Sequence, residues 1–218
     1  MDWPAWQPTY DAICADFGFD PVADAAARDD LDARLSTHWQ ADLDALLAAL
    51  RGRDVVIVGP ALADASWPER LPADAPVLVS DDAVHHVMPV LRPLAIVTDL
   101  DGDLPAHAAA SALEVPLFVH AHGDNGDVIA GHLDHLRGPL LGTTQVEPRG
   151  RVHNFGGFTD GDRAACLAAH AGAARLTLVG FDFDAPVAKP GRDAATKARK
   201  LAWAQRIIAG LGVPVRRL

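Results

Sequence analysis

The segment Asp54-Val-Val-Ile-Val-Gly-Pro60 places four consecutive apolar residues between an acidic residue and a Gly-Pro turn. A short, continuous apolar run of this kind is typical of a strand that is buried on both faces. It predicts a strand that runs into a glycine turn and a helix. Six further segments show comparable apolar runs: Pro76–Ser80, Leu94–Thr98, Val115–His120, Pro139–Gly142, Arg175–Gly180 and Val213–Arg217.

Helical patterns separate several of these runs, most clearly at Asp162–His170 and Ala194–Leu211. Strands that alternate with helices, and that lack a polar face, are typical of a parallel sheet covered on both sides. The sequence therefore predicts an α/β protein, with a three-layer α/β/α domain and a mainly parallel sheet over residues 51–218.

The first 50 residues differ in character from the rest of the chain. Aromatic and aliphatic residues recur at helical spacing between Trp3 and Phe19, and Asp30–Leu50 carries an apolar stripe of six leucines. This pattern predicts a separate helical region over residues 1–50 that acts as a lid or buttress on the α/β domain. Nothing in it suggests chemistry.

The charge composition is acidic and unusual. The formal net charge is −10, glutamate occurs only at Glu69, Glu114 and Glu147, and the chain has three lysines. An acidic surface that is poor in lysine and rich in short carboxylates stays soluble in strong salt, which indicates a salt-adapted, archaeal cytoplasm. GC-rich codon usage, which also enriches Asp, Ala and Arg, is the alternative. Since no basic stripe is present, nucleic acid is not expected as a main partner.

Membrane and disulfide classes are also not expected. No apolar run approaches the roughly 20 residues of a membrane span, and the acidic, proline-broken N-terminus does not resemble a signal peptide. Cys14 and Cys166 are far apart and form no disulfide framework or zinc-type spacing. We expect a cytoplasmic protein. A homo-oligomer is left open.

Polar residues concentrate where the predicted strands end. Ligands of open parallel sheets bind beyond the carboxyl ends of the strands, and Asp99 and Asp101 directly follow the strand Leu94–Thr98. Side chains two residues apart in an extended segment point to the same side, so both carboxylates can face one ion. Two oxygen ligands of this kind suit a hard cation such as Mg²⁺. The alternative is a solvated Asp-Gly turn, but its position after an apolar strand favours a metal site.

His120 and His122 show the same two-residue spacing. Together with Asp124 they resemble part of a zinc site, but no further histidine lies at a matching strand end. The alternative is hydrogen bonding to a substrate or a phosphate. Asp124 and Asn125 are suited to pair with the polar edge of a heterocycle.

Two later segments add polar and glycine residues at strand ends. Thr159 and Asp162 have the spacing of a capping box, and the helix start that they predict is a candidate anion site. A tight turn with a cap is the alternative. The candidate substrate-binding residues of the two segments are Thr143, Thr144, Gln145, Asn154, Gly156, Gly157, Thr159, Asp160 and Arg163.

Lys197 and Lys200 stand three residues apart on one helical face. In a chain with so few lysines they are candidates to neutralise phosphate oxygens, with a solvated helix face as the alternative. Asp182 follows another predicted strand and joins the candidate ligand-binding residues.

Taken in order, these motifs resemble the archaeal-type 6-hydroxymethyl-7,8-dihydropterin diphosphokinase family. The resemblance runs from about Val55 to Ile208, and more distantly the chain is similar to thiamin diphosphokinase. The motifs that carry it are Thr98-Asp-Leu-Asp-Gly102, His120-Ala-His-Gly-Asp-Asn125, Gly142-Thr-Thr-Gln145, Asn154-Phe-Gly-Gly-Phe-Thr-Asp-Gly-Asp-Arg163, Gly180-Phe-Asp-Phe183 and Lys197-x-x-Lys-Leu201.

The resemblance implies transfer of a diphosphate group from ATP to the pterin hydroxymethyl group with Mg²⁺, leaving AMP, and a product used in tetrahydrofolate or methanopterin synthesis. It implies that Asp99 and Asp101 hold the metal on the ATP phosphates. Lys197, Lys200 and Arg163 are the candidates to offset the developing charge.

The remaining candidates concern the pterin. Asp124, Asn125 or Asp182 is expected to anchor the amino-pyrimidinone ring, and His120 or His122 to orient the attacking hydroxyl. A metal-dependent glycosyltransferase, or another nucleotide-dependent transferase that uses the Asp-x-Asp motif, is the alternative function. A non-catalytic nucleotide sensor is a second one.

The chain departs from the family pattern at two positions. Ala61 stands where a serine is usual, which bears on a hydroxyl contact to phosphate. Asp82 stands where a glycine is usual, which bears on how closely that loop approaches a ligand. Neither position touches the predicted metal ligands.

Overall fold

One sheet of parallel strands organises the chain in the computed structural model, which describes residues 2–62, 66–72, 74–183 and 193–218. Every pairing between the named strands is parallel. The described strands are β1 (Asp54–Val58), β2 (Val77–Ser80), β3 (Ala95–Thr98), β4 (Leu117–Ala121), β5 (Leu140–Thr144), β6 (Val152–His153), β7 (Arg175–Val179) and β8 (Val215–Arg217).

The order of the strands reverses once. Across the sheet it is β6-β5-β4-β3-β2-β1-β7-β8. The chain therefore builds outward from β1 as far as β6, then returns to place β7 and β8 on the other side of β1. Because all strands are parallel, their carboxyl ends share one edge, here called the carboxyl edge.

Helices cover both faces of this sheet. None of the described helices is long and apolar enough to cross a bilayer. They are α1 (Trp3–Phe17), α2 (Pro21–Leu35), α3 (Leu43–Leu50), α4 (Val84–Val87), α5 (Leu104–Ala112), α6 (Gly126–His132), α7 (Asp160–His170) and α8 (Ala194–Ala209).

The apolar strands supply two cores, one on each side of the sheet. In β1, Val56 and Val58 pack on the side covered by α2, α4, α5 and α6. Val55 and Ile57 point the opposite way, toward α3, α7 and α8. Successive side chains of a strand alternate between faces, so a strand covered on both sides is apolar throughout. The predicted three-layer α/β/α fold is confirmed.

The helical N-terminal region is also confirmed, although its parts pack in different places. Leu31 and Leu35 of α2 join the core on one face of the sheet, while Leu46 and Leu50 of α3 join the core on the other. The predicted leucine stripe is thus divided between two helices. α1 packs against α7 and α8, with Trp6 among its buried residues. A domain boundary near residue 50 stays a prediction.

Aspartates begin many of these helices. A side-chain oxygen at the N-cap accepts a hydrogen bond from a backbone N–H that has no partner within the helix. Part of the high Asp content therefore has a local structural role, whichever explanation of the composition holds. The N-cap aspartates that accept such a bond are Asp2, Asp20, Asp42, Asp103 and Asp193.

Two local features differ from the sequence prediction. The two-residue strand β6 was not predicted, because so short a segment carries no periodicity. After β1, a short 3₁₀ helix at Trp67–Arg70 stands where a helix was predicted; residues 63–65 lie outside the described part of the chain.

The attachment of α2 to the sheet can be tested by shortening one leucine. Leu31 is fully buried, so Leu31→Ala should lower the free energy of unfolding by about 2–5 kcal/mol through lost burial and a residual cavity. The matched control is Leu113→Ala, since Leu113 is 60% exposed and its loss should cost no more than about 0.5 kcal/mol. Urea denaturation measures both; equal costs would contradict this packing.

Candidate active site

A cleft of about 610 Å³ lies along the carboxyl edge. Its walls are formed by the segments that follow β1, β2, β3, β4, β5 and β7, by the first turns of α7 and α8, and by the connection between α1 and α2. A concave site of this volume suits small-molecule ligands. Its place beyond the carboxyl ends of parallel strands is the one that the sequence predicts.

Three carboxylates meet near the middle of this cleft. Asp81, Asp99 and Asp101 each offer an oxygen atom, and these atoms all lie within 4.8 Å of one another. Within the described ranges, no other group of three or more His, Cys, Asp or Glu side chains meets this criterion. A donor set made of carboxylate oxygens alone suits a hard divalent cation such as Mg²⁺ or Mn²⁺.

The backbone that presents these acids is turned rather than extended. Leu100, between Asp99 and Asp101, has a φ of 63°, and Asp81 has a φ of 41°. Residues other than glycine adopt this left-handed backbone conformation at a cost of about 1–3 kcal/mol each. The predicted extended geometry is therefore wrong: the fully buried side chain of Leu100 anchors the turn, and the two carboxylates are brought together around it.

Asp81 is the carboxylate of the cluster that the sequence interpretation missed. It follows β2 directly, so the strand-end reasoning that selected Asp99 applies to it equally. Thr98 Oγ1 donates a 2.8 Å hydrogen bond to Asp81 Oδ1, and His107 Nε2 lies 3.6 Å from the same oxygen. The hydrogen bond from the buried Thr98 side chain fixes the position of Asp81 Oδ1.

The loops after β2 and β3 touch closely. Gly102 allows this approach, because a Cβ atom at this position would meet the carboxylates of Asp81 and Asp82, which would then have to move. Asp82 Oδ1 accepts a 2.9 Å hydrogen bond from the Asp103 N–H. Asp82 therefore ties the two acidic loops together.

His122 controls the charge of Asp99. The N–H of Asp124 donates to His122 Nδ1 at 3.3 Å, so a neutral His122 ring carries its proton on Nε2, which lies 3.6 Å from Asp99 Oδ2. Burial acts to raise the pKa of Asp99, but the hydrogen bond from His122 and the charge of Arg163 outweigh it and lower that pKa. Asp99 is therefore ionised and suited to hold a cation.

Asn125 lies beneath the cleft and uses its amide within the protein. Its Nδ2 donates to the carbonyl oxygens of Asp99 at 2.9 Å and His120 at 2.7 Å, and its Oδ1 accepts from the His122 N–H at 2.9 Å. These bonds join the ends of β3 and β4. The structure thus gives Asn125 a positioning role and places it away from the cleft lining.

His120 is buried behind the cleft. Its Nδ1 lies 3.1 Å from Thr143 Oγ1, and its Nε2 has no partner beside a cavity of about 10 Å³ that Arg163 also borders. Burial lowers the pKa of His120 well below its ordinary value, so the ring is neutral. Neither His120 nor His122 belongs to a group of three or more ligand-type side chains among the described residues.

The start of α7 forms the predicted capping box. Asp162 accepts hydrogen bonds from the N–H groups of Phe158 and Thr159, so these two donors are not available to an anion. Arg163 NH1 pairs with Asp160 Oδ1 at 2.9 Å, and burial raises the pKa of Asp160 well above its ordinary value. Arg163 thus supplies a cationic side chain at this helix start, paired with Asp160.

The structure divides the sequence-predicted site residues into two sets. The first lines the cleft: Asp99, Asp101, His122, Asp124, Gln145, Thr159, Asp160, Arg163, Asp182, Lys197 and Lys200. The second lies outside the cleft lining: His120, Asn125, Thr143, Thr144, Asn154, Gly156 and Gly157. The substrate contacts of both sets stay predictions.

Part of the wall comes from residues 1–50, where the sequence suggested no chemistry. α1 ends at Gly18, which has a φ of 74° and so turns the chain sharply. Asp20 then caps α2, and the side chain of Asp24 is carried to the cleft. We call Gly18–Asp24 the N-terminal corner. No sequence signal marked it, because the packing of α2 on the sheet places it there.

Fold and site together define a doubly wound α/β protein with a carboxylate cluster in a ligand-sized cleft. No protein-family model matches the chain. Three curated archaeal proteins do, each described as a 6-hydroxymethyl-7,8-dihydropterin pyrophosphokinase. The chain is 37% identical to the one from Methanothermobacter thermautotrophicus, with 95% of this chain and 94% of that protein covered.

The other two relatives agree. The Pyrococcus furiosus protein is 37% identical, with 87% of this chain and 81% of that protein covered. The Methanocaldococcus jannaschii protein is 32% identical, with 95% of each covered. The chain therefore belongs to the 6-hydroxymethyl-7,8-dihydropterin pyrophosphokinase family, as its motifs indicated.

The metal site is open to a direct binding test. Mn²⁺ titration followed by electron paramagnetic resonance should show one site in the wild-type protein. Asp81→Asn and Asp99→Asn should each weaken it by about tenfold or more, since each removes a charged ligand. Asp11→Asn, at an exposed aspartate of α1 outside the cleft lining, is the control. Unchanged affinity in both site variants would rule out this cluster.

Proposed function

We propose that this protein transfers a diphosphate group from ATP to 6-hydroxymethyl-7,8-dihydropterin in a Mg²⁺-dependent reaction that releases AMP. The names of its relatives support the pterin and the diphosphate transfer. The observation that carries the ATP and Mg²⁺ parts is the cluster of Asp81, Asp99 and Asp101 at the centre of a cleft that cationic side chains also line.

Asp81, Asp99 and Asp101 would hold the metal ion. Their oxygen donors fit Mg²⁺, which usually keeps some of its waters and takes further ligands from substrate phosphates. Bound there, Mg²⁺ supplies positive charge against the phosphate oxygens. The protein contributes the ionised state of Asp99, which His122 and Arg163 favour, and the fixed position of Asp81, which Thr98 supports.

Arg163, Lys197 and Lys200 line the cleft and would balance the remaining phosphate charge. The pterin hydroxymethyl oxygen attacks the β-phosphorus of ATP, and a new O–P bond forms there. The bond from that phosphorus to the oxygen bridging the α- and β-phosphates breaks, so AMP leaves with that oxygen and the hydroxyl proton is released. The transition state of this diphosphate transfer is stabilised mainly by positioned cations, and the protein forms no covalent bond to the substrate.

The nucleoside of ATP is assigned to the end of the cleft near β1 and β7. The strand order reverses at β1, and ligands of doubly wound folds bind where it does so. Pro60, Ala61 and Phe181 line this end, and the Phe181 ring offers a face on which adenine can stack. Ala61 has no hydroxyl to offer a phosphate, and its N–H already donates to the Gly180 carbonyl at 2.9 Å.

Two alternative functions share parts of this site. A glycosyltransferase would use the same acids to hold a nucleotide diphosphate, and a nucleotide sensor would bind ATP without turnover. The activity for which the relatives are named favours the diphosphokinase over both. A cytoplasmic location, and use of the product in folate or methanopterin synthesis, belong to the same proposal.

The reaction type can be tested with labelled ATP. With Mg²⁺ and 6-hydroxymethyl-7,8-dihydropterin, AMP should form in a 1:1 ratio with pterin diphosphate, because the bond between the α- and β-phosphates breaks. Chromatography of the nucleotides, in both low and molar salt, measures this ratio. Asp101→Asn should reduce turnover by about 100-fold or more, while Asp11→Asn should not. ADP as the pterin-dependent product would contradict the proposal.

A further inference from the structure

We propose that the pterin ring binds at the end of the cleft near β4 and β5, where Gln145, oriented by Asp24, recognises the lactam edge of the ring. This inference rests on the proposed function and deepens it by assigning the two ends of the cleft to the two substrates. It also gives the N-terminal corner a role in substrate specificity.

Distances along the sheet support this assignment. Neighbouring strands lie about 4.8 Å apart, so β7 lies about 14 Å from β3, which precedes two of the three acids, and β5 lies about 10 Å from β3. The longer arm accommodates the ribose and adenine of ATP. The shorter arm accommodates a bicyclic pterin whose hydroxymethyl group must reach the β-phosphate at the centre.

Gln145 has a fixed amide orientation at the shorter arm. Its Nε2 donates a 2.8 Å hydrogen bond to Asp24 Oδ2. The same oxygen accepts from Tyr10 Oη, so it acts as an acceptor, and the amide nitrogen rather than the oxygen faces Asp24. Among the described residues no group donates to Gln145 Oε1. A fully buried oxygen without a donor would count among the buried polar atoms that lack a partner, and Gln145 Oε1 is not among them. The oxygen is therefore accessible at the cleft wall to which Gln145 belongs.

Asp24 is itself held on several sides. Tyr10 Oη donates to Asp24 Oδ2 at 2.7 Å, and the Gly123 N–H donates to Oδ1 at 2.7 Å. Asp24 is 4% exposed, and Gly123 has no room for a Cβ atom, which would meet Ala23. The carboxylate thus connects α1, α2 and the segment after β4, and it fixes the Gln145 amide against rotation.

The fixed amide matches one edge of the pterin ring. Gln145 Oε1 can accept the ring N3–H, while the second hydrogen on Nε2 can donate to the ring O4. A 4-amino analogue reverses this pattern, so an acceptor would face N3 and a donor would face the amino group. Phe19 and Phe158, which also line this arm, provide apolar and aromatic surface for the ring.

The test compares two substrates. The 4-oxo pterin and its 4-amino analogue, 2,4-diamino-6-hydroxymethyl-7,8-dihydropteridine, are assayed at saturating ATP. Wild type should prefer the 4-oxo compound by about 100-fold in kcat/KM, since a site that binds through paired polar groups rejects a mismatched edge. Gln145→Leu should reduce this preference to roughly fivefold or less and raise the pterin KM, with the KM for ATP unchanged.

Two further variants make the result decisive. Gln205→Leu, at an exposed glutamine of α8 outside the cleft lining, should keep the wild-type preference. Asp24→Asn should also reduce the preference, because an amide at position 24 lets Gln145 adopt either orientation. Thermal unfolding of every variant confirms that it is folded, and Asp24→Asn with wild type still decides the matter if Gln145→Leu does not fold.

The outcomes separate this inference from the proposed function. If wild type neither binds the pterin, measured by pterin fluorescence, nor forms its diphosphate, the proposed function fails. If it does both, but the preference for the 4-oxo compound is the same in wild type, Gln145→Leu and Asp24→Asn, the proposed function stands and this inference is overturned. A raised KM for ATP with an unchanged pterin KM would instead assign this arm to the nucleotide.

Discussion

The mutual repulsion of three carboxylates is the constraint on which the site depends. Two like charges about 4 Å apart repel by about 1–4 kcal/mol, depending on how far water screens them. Asp81, Asp99 and Asp101 are nevertheless held together, with Thr98 donating to Asp81 and the charge of Arg163 lowering the pKa of Asp99. These contacts hold the three acids close together, and the positive φ angles of Asp81 and Leu100 belong to the same arrangement.

The fold was largely predictable because it depends on local patterns. Apolar runs such as Val55–Val58 predict strands buried on both faces, and the sheet contains every strand predicted in this way. The strand β6 has only two residues and therefore shows no apolar run that could predict it. The leucines of residues 31–50 predicted helices correctly, but not that α2 and α3 cover opposite faces of the sheet. That depends on how the connection between them wraps around the sheet edge.

The site was predictable in part. Asp99, Asp101, His122 and Asp124 follow strands, and the structure brings all of them to the cleft. His120 differs from His122 because β4 continues to Ala121, so His120 still lies within the strand and points into the core. The sequence alone did not show where β4 ends, and therefore did not separate the two histidines.

Asp24 shows a different limit. It lies on a polar helix with no local signal, and the packing of α1 and α2 creates its environment of Tyr10, Gly123 and Gln145. Residues 1–50 are therefore more than a buttress: they complete one wall of the cleft. In this protein, the N-terminal segment without sequence motifs supplies Asp24, which orients Gln145.

The most direct measurement of the central claim is anomalous diffraction from crystals grown with Mn²⁺, the pterin and an ATP analogue whose α- and β-phosphates are joined by a methylene group. The account predicts an anomalous peak within coordination distance of Asp81, Asp99 and Asp101, with the β-phosphate of the analogue bound to the same ion. A principal peak at His120 and His122, or phosphates bound away from the three carboxylates, would contradict it.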